Sequence, residues 1–303
     1  MTVERTVGRT ERFDDVVAPW LDYQRSPMGR LRTELFWRGL RPHMPVEPCD
    51  VLDIGGGSGE LTEIMAHAGH RVTLVDSAQP MLDAAQARMR GLDVAFVHGH
   101  IETAMAVATA KDAGAHEGLT LSAQSFDVIT CHSVIEFLDD PMLLIARCRT
   151  WLREDGVLSL GFGNQRMAVL QAAIVHKDLP RAAHDLHHEP QVLNRLGKPL
   201  RLLEPDTVVG WLHDRGFKVI AENGIRTVTD LIDSADSTDE ANFGALLDLE
   251  THMMGMPAYA RIARFVQLIA QNKPAQTTDS VDYMERDDPN FDRTQLSSCP
   301  GRP

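Results

Sequence analysis

Three glycines and an aspartate carry the chemistry that this chain suggests. Gly55, Gly57 and Gly59 stand in the run Asp53-Ile54-Gly55-Gly56-Gly57-Ser58-Gly59, after the apolar Val51-Leu52 and before a helical pattern. That is the layout of a nucleotide-binding strand–turn–helix. A Cβ in such a turn would hold a ligand off the backbone, and the first N–H groups of the helix face the ligand. The glycine spacing is G-x-G-x-G. A dinucleotide fingerprint needs a small residue where this chain has Glu60 or Thr62, so it does not fit. Asp76 closes a second apolar run, Arg71–Asp76. It lies about 20 residues beyond the loop, where an acid can accept hydrogen bonds from two ribose hydroxyls.

The elements that must position these residues follow from periodicity. Residues 13–44 read as helical and hold Trp20, Phe36 and Trp37. They precede the first strand, Asp50–Ile54, and are expected to cap the site. Leu61, Ile64, Met65 and Ala68 repeat at i, i+3, i+4 and i+7, one buried helix face, with Gly69 as the stop. A helix from Gln79 to Arg90 and strands Val94–His98, Phe126–Cys131 and Val157–Phe162 continue the alternation. Asp140-Pro141 starts a helix, with Asp as N-cap and Pro at the first position. Such alternation implies a parallel sheet with helices on both faces, whose ligands sit beyond the carboxyl ends of the strands. Gly55, Asp76, Glu102 and His132 all follow strand ends and are expected to converge on one cleft. Residues 103–125 read as a surface insertion, partly helical, and Asn164–Arg201 as a second one. A helix over Pro205–Arg215 closes at Gly216. Strands Phe217–Ala221 and Ala263–Ile269 are expected to run antiparallel to each other.

The chain has 303 residues, 43% of them hydrophobic, enough for one large α/β domain. Three units are expected: residues 1–45 as an N-terminal helical cap, 46–273 as the catalytic domain, and 274–303 as an acidic, disordered tail with six acidic and three basic residues. Net charge is −13, which as a uniform surface would repel nucleic acid. The charge is not uniform. Residues 20–41 hold Arg25, Arg30, Arg32, Arg38 and Arg41 against two acids. Residues 163–201 hold Arg166, Lys177, Arg181, Arg195, Lys198 and Arg201 against three acids. Both segments should flank the cleft, and a basic rim suits a polyanionic substrate. The four cysteines are scattered without a C-x-x-C pair, and His187-His188-Glu189 matches no zinc spacing, so no metal site is expected. Cys131 ends a core strand, where a thiol is more often inert than nucleophilic. The first fifteen residues have no apolar core of a signal peptide, and no run approaches the ~18 residues of a membrane span, so the expected location is the cytoplasm.

The G-x-G-x-G loop resembles that of class I S-adenosylmethionine (SAM) methyltransferases. From about Phe13 to Pro274 the chain resembles, more narrowly, the bacterial tRNA 5-carboxymethoxyuridine carboxyl methyltransferases. The matching stretches include Arg12-Phe13-Asp14-Asp15, Gly29-Arg30-Leu31-Arg32 with Trp37, and Val51 to Gly57. Further on they include Phe96-Val97-His98, His132-Ser133-Val134-Ile135-Glu136, Gly156 to Leu160, Gly224-Ile225-Arg226 and Leu246-Leu247-Asp248-Leu249-Glu250-Thr251. The resemblance implies a Rossmann-like, doubly wound, mostly parallel seven-stranded sheet. It implies SAM as cofactor and the anticodon loop of tRNA as partner. It places Arg32 at the SAM carboxylate, Gly55, Gly56 and Gly57 around the methionine part, Asp76 on the ribose, Glu102 near the adenine, His132 against the cofactor and Arg226 near the substrate. The family has a histidine and a tyrosine where this chain has Thr229 and Leu231, and a lysine cluster where this chain has the weaker basic stretch Lys177–Arg201. Both departures fall on the substrate side.

Methyl transfer to oxygen is an in-line displacement, so positioning dominates and can supply roughly 7–11 kcal/mol. A carboxylate, with an unperturbed pKa of about 4, needs no base. An arginine can hold it bidentately, and Arg226 is the expected clamp. A hydroxyl would need a base, for which His132 is the candidate. The alternative to tRNA is a small carboxylic acid or hydroxyl metabolite.

Overall fold

A computed structural model of the chain describes residues 17–103, 105–107, 120–190, 192–193 and 199–273. The expected Arg12-to-Asp15 stretch, most of the 103–125 insertion, Arg195, Lys198 and the acidic tail lie outside the described residues.

Seven strands form one sheet: β1 (Asp50–Ile54), β2 (Arg71–Asp76), β3 (Val94–His98), β4 (Phe126–His132), β5 (Leu152–Gly163), β6 (Phe217–Ile225) and β7 (Phe265–Asn272). Their order is β6-β7-β5-β4-β1-β2-β3. The pairs from β3 through β5 are parallel, and β7 runs antiparallel between β5 and β6. The chain order reverses between β1 and β4, the switch point where ligands bind in such sheets. The two last strands are longer than their apolar runs suggest, because pairing on β7 continues through Asn223 and Gln267, polar residues whose side chains bond to each other.

The helices are α1 (Val17–Arg25), α2 (Pro27–Leu40), α3 (Glu60–His67), α4 (Gln79–Arg88), α5 (Pro141–Trp151), α6 (Gln165–Leu170), α7 (Leu179–Asp185), α8 (Pro205–Asp214), α9 (Ser234–Thr238), α10 (Phe243–Met254) and α11 (Pro257–Ala260). The expected Asp140 cap is present: its side chain accepts from Leu143 N, with Pro141 following. On α3 the buried positions are Thr62 and Met65, while Ala68 is exposed. The helix turns this way because the Thr62 hydroxyl donates to the buried Asp53 at 2.5 Å, a polar demand that hydrophobic periodicity does not register.

The sheet is covered on both faces. Leu52, Ile54, Ile129, Leu158, Leu160 and Leu268 pack with Trp151 and Leu212, and on the other side Val51, Val128 and Ile269 pack with Leu40 and Met65. Each such side chain stabilises the fold by about 1.5–3 kcal/mol. Leu31, Leu35 and Phe36 of α2 join Ile225, Leu246 and Met254 in a third cluster. The N-terminal helices are thus bonded into the core by residues from the far end of the chain.

Candidate active site

The carboxyl ends of β1, β2 and β4, with α1 and α2 above them, enclose a cavity of about 420 Å³. That is within the range of a single small-ligand site. Arg32, Gly55, Gly56, Gly57, Asp76, Glu102 and His132 all line it. The convergence expected from strand ends is therefore what the fold builds.

The glycine turn is shaped by left-handed backbone. Gly57 has φ +55° and Gly59, the N-cap of α3, φ +81°. A Cβ on Gly57 would point into the cavity and come within 3.7 Å of Trp20 Nε1. Gly57→Val therefore costs about 1–2 kcal/mol of fold stability through its backbone, a few degrees in melting temperature. It also fills the ligand's space, and a drop of tenfold or more in SAM affinity by titration calorimetry is the expected outcome.

Asp76 ties this turn to the start of α4: Gly57 N donates to Oδ2 and Ala78 N to Oδ1, each at 2.9 Å. Burial raises its pKa, and those backbone donors oppose the shift. Asp53 lies below the turn, buried, and accepts from Thr62 and from Thr130 at 2.7 Å. Glu102 is exposed at the cavity mouth and accepts from Asp139 N at 3.0 Å.

Arg32 is 7% exposed, and its Nη2 donates to Ser133 Oγ at 2.8 Å. Its guanidinium lies over the Phe36 and Phe265 rings at 5.2 and 5.1 Å. Among the described residues no carboxylate lies within ion-pair distance of it. Burial lowers its pKa, and Arg226 nearby adds to that. Ser133, the hydroxyl that meets it, sits at φ +56°, a strained position of the kind that clusters at functional sites.

His132 is stacked on Phe36, with ring centroids 4.2 Å apart and 17° between planes. Its Nε2 lies 2.8 Å from Ser159 Oγ. Burial and the Arg32 charge pull its pKa down to about 3, so the ring is neutral at pH 7. Cys131 beside it is fully buried, and burial pushes its thiol well up, which makes it inert.

Among the described residues, two polar atoms in the cavity wall are buried and unpartnered: Trp20 Nε1, a donor, and Gln24 Oε1, an acceptor. Gln24 is held through its Nε2, which donates to Glu60 at 2.9 Å. Together with Arg32, a buried cation with no ion-paired carboxylate among the described residues, they fit an amino-acid head group carrying both charges. The glycine turn and Asp76 fit a nucleoside. Sequence reading missed Gln24, Glu60 and Ser133, since single polar residues in helices or after a strand carry no spacing signal.

Arg226 requires a correction. It is 2% exposed and does not line the cavity. Its Nε and Nη2 donate to Asp230 at 2.8 and 2.6 Å, and its Nη1 to Tyr23 Oη at 2.8 Å. Burial works against its charge, but Asp230 more than offsets this and its pKa is raised. Both faces of the fork are engaged, so it is not free to clamp a substrate carboxylate. It fastens α1 instead. Thr229 is also turned inward: it is buried, and its hydroxyl donates to Glu250 at 2.6 Å. The charged rim is weaker than composition suggests. Arg25 pairs with Asp22, Arg30 with Glu240, Arg38 with Glu34, Arg166 with Glu204 and Asp206, and Arg181 with Asp185.

Residues 52–160 match the family described as methyltransferase domain. Over 188 residues the chain is 34% identical to the ubiquinone biosynthesis O-methyltransferase of Actinobacillus pleuropneumoniae serotype 7, covering 58% of this chain and 74% of that one. The chain belongs to the class I SAM-dependent methyltransferases. It is an enzyme that uses SAM as its methyl donor. To the tRNA 5-carboxymethoxyuridine methyltransferase of Escherichia coli K12 this methyltransferase is 27% identical over 278 residues, 89% of this chain and 98% of that one. Its fold matches a SAM-dependent methyltransferase from Thermotoga maritima with TM-score 0.56 at 14% identity, covering 88% and 100% of the two chains. It matches the N-methyltransferase NodS of Bradyrhizobium japonicum WM9, solved with S-adenosylhomocysteine, with TM-score 0.51 at 16% identity over 88% and 100%. No described helix of the methyltransferase is long and apolar enough to cross a membrane.

Proposed function

We propose that this methyltransferase converts the carboxylate of 5-carboxymethoxyuridine, at the wobble position of a tRNA, to its methyl ester, in the cytoplasm. The state of His132 carries the reading. The imidazole that would serve as base is neutral, has a pKa of about 3 and has its Nε2 committed to Ser159. A nucleophile that arrives ionised, as a carboxylate does at neutral pH, suits that site. The similarity over 98% of the E. coli tRNA methyltransferase supports the same substrate.

SAM supplies an electrophilic methyl on a sulfonium. Arg32 and Trp20 Nε1 would hold its carboxylate, Gln24 Oε1 its ammonium, Asp76 its ribose hydroxyls and Gly55 to Gly57 its methionine stem. Glu102 would flank the adenine at the mouth. His132 and Phe36 form the wall beside the reacting oxygen. α1 and α2 act as the cap over the catalytic domain of residues 46–273.

The pairing of most rim arginines and the 34% identity to a ubiquinone O-methyltransferase favour a second reading, a small-molecule acceptor. The deciding assay incubates the protein with SAM and tRNA carrying 5-carboxymethoxyuridine, then looks for the methyl ester by nucleoside mass spectrometry. No ester from a preparation shown to bind SAM would move the search to small acids and phenols. The pH profile distinguishes the nucleophiles as well. Burial lifts the Glu136 carboxyl to about 7, so the window lies above it. From pH 7.5 to 9 a carboxylate acceptor gives a flat log kcat/KM, while a hydroxyl acceptor gives about tenfold per pH unit.

A further inference from the structure

We propose that His132 acts as a neutral hydrogen-bond donor, presenting Nδ1–H to the ligand cavity, and that Ser159, Gln267 and Asn223 are positioning residues that fix this tautomer. The backbone carbonyl of Phe36 can only accept a hydrogen bond. The end of the Gln267 amide that lies 2.9 Å from it is therefore the nitrogen. That nitrogen is also 2.9 Å from Ser159 Oγ, so the serine oxygen accepts from it. Asn223 Nδ2, 3.2 Å from Gln267 Oε1, holds the other end of the amide. Ser159 and Gln267 are fully buried. The one proton of the Ser159 hydroxyl has a single acceptor within reach among the described residues, His132 Nε2 at 2.8 Å. The opposite assignment, Nε2–H donating to Ser159, would leave a buried O–H without an acceptor, which is costly in a dry interior. Nε2 is thus an acceptor, and the proton of the neutral ring is on Nδ1.

The orientation of the ring follows from what surrounds it. One face lies on Phe36. The Cδ2–Nε2 edge faces β5: a Cβ on Gly161 would come within 2.9 Å of Cδ2, and Ser159 meets Nε2. The Nδ1 edge is turned the other way, and His132 lines the cavity. A polar chain therefore starts on α2, the helix that carries Arg32, passes through β7 and β5, and ends as an N–H donor at the site. Such a donor suits an oxygen acceptor of the substrate. Its assignment to the carboxylate oxygen that does not attack rests on the reading proposed above, whereas the tautomer does not.

The test is long-range ¹H–¹⁵N correlation on full-length protein labelled at histidine, at pH 7, with the His132 signals assigned by their loss in His132→Asn. The expected result is the Nδ1–H form in the parent and in Ser159→Thr, which keeps the hydroxyl. Ser159→Ala and Gln267→Met are expected to shift the ring to Nε2–H or to a mixture. An Nε2–H ring or an imidazolium in the parent would overturn the proposal, and so would a pure Nδ1–H ring in both disrupted variants while circular dichroism shows them folded. The readout needs neither cofactor nor substrate, so it stands apart from the tRNA assay.

Discussion

Replacing Arg32 by methionine lowers SAM affinity by roughly 30- to 1,000-fold and leaves the free protein at least as heat-stable as the parent. The first half follows from the proposed salt link to the cofactor carboxylate inside a buried cavity, where truncating one partner of a charge pair costs about 2–4 kcal/mol. The second half follows from what surrounds the guanidinium in the free protein. It is 7% exposed, and its hydrogen-bond partner is the neutral Ser133 hydroxyl. A buried cation without an anion destabilises, and methionine fills similar space against the Phe36 and Phe265 rings with favourable sulfur contacts. Calorimetric titration and thermal unfolding on one preparation check both halves. Affinity within threefold of the parent would remove Arg32 from the cofactor site, and a melting temperature lower by more than a few degrees would show that the free protein does pair its charge.

Glu250→Ala is expected to lower stability by roughly 3–5 kcal/mol, on the order of 10 °C in melting temperature. Glu250 is fully buried on α10. It accepts from Thr227 N at 2.7 Å, Val228 N at 2.9 Å, Thr229 N at 2.8 Å and the Thr229 hydroxyl. Alanine strands all four donors in a dry interior. Glu250→Gln keeps the shape but turns an NH₂ group toward N–H groups, so it is expected to fall well below the parent also. Because the same loop begins with Arg226 and its bond to Tyr23, both variants should weaken SAM binding as well. Unfolding within 2 °C of the parent for Glu250→Ala would show that the loop reaches solvent instead. At lower stability than this, a variant that does not fold at all would agree with the prediction, and Glu250→Gln then gives the graded measurement.

Much of the fold is legible in the sequence because the sheet's strands are short apolar runs with turn residues between them. Gly55 to Gly59 and Asp76 point to the candidate cavity by type and spacing, since those positions answer local backbone demands. The residues that sequence reading missed or misplaced answer demands from far along the chain. Gln24 is one polar residue in a polar helix until Glu60 and the cavity are seen beside it. Arg226 looks like a substrate clamp until Asp230, four residues on, and Tyr23, two hundred residues back, are found on its two faces. The Leu-Glu-Thr segment signals a family without giving its reason, and the reason is the set of backbone amides that Glu250 gathers. Local charge counts misled about the rim for the same cause: Arg30 pairs with Glu240, which no local count includes.

The cluster that joins Leu31, Leu35 and Phe36 to Ile225, Leu246 and Met254 sets an order on synthesis. α2 leaves the ribosome early. Leu40 meets Val51 and Met65 soon after, and Phe36 meets His132, but Leu31 and Leu35 wait some 190 residues for Ile225. At about 5–20 residues per second that interval is about 10–40 s. Through it a helix stands with Leu31 and Leu35 uncovered, a natural substrate for nascent-chain chaperones. The candidate site, which depends on that helix, is completed late, once Ile225, Leu246 and Met254 have emerged.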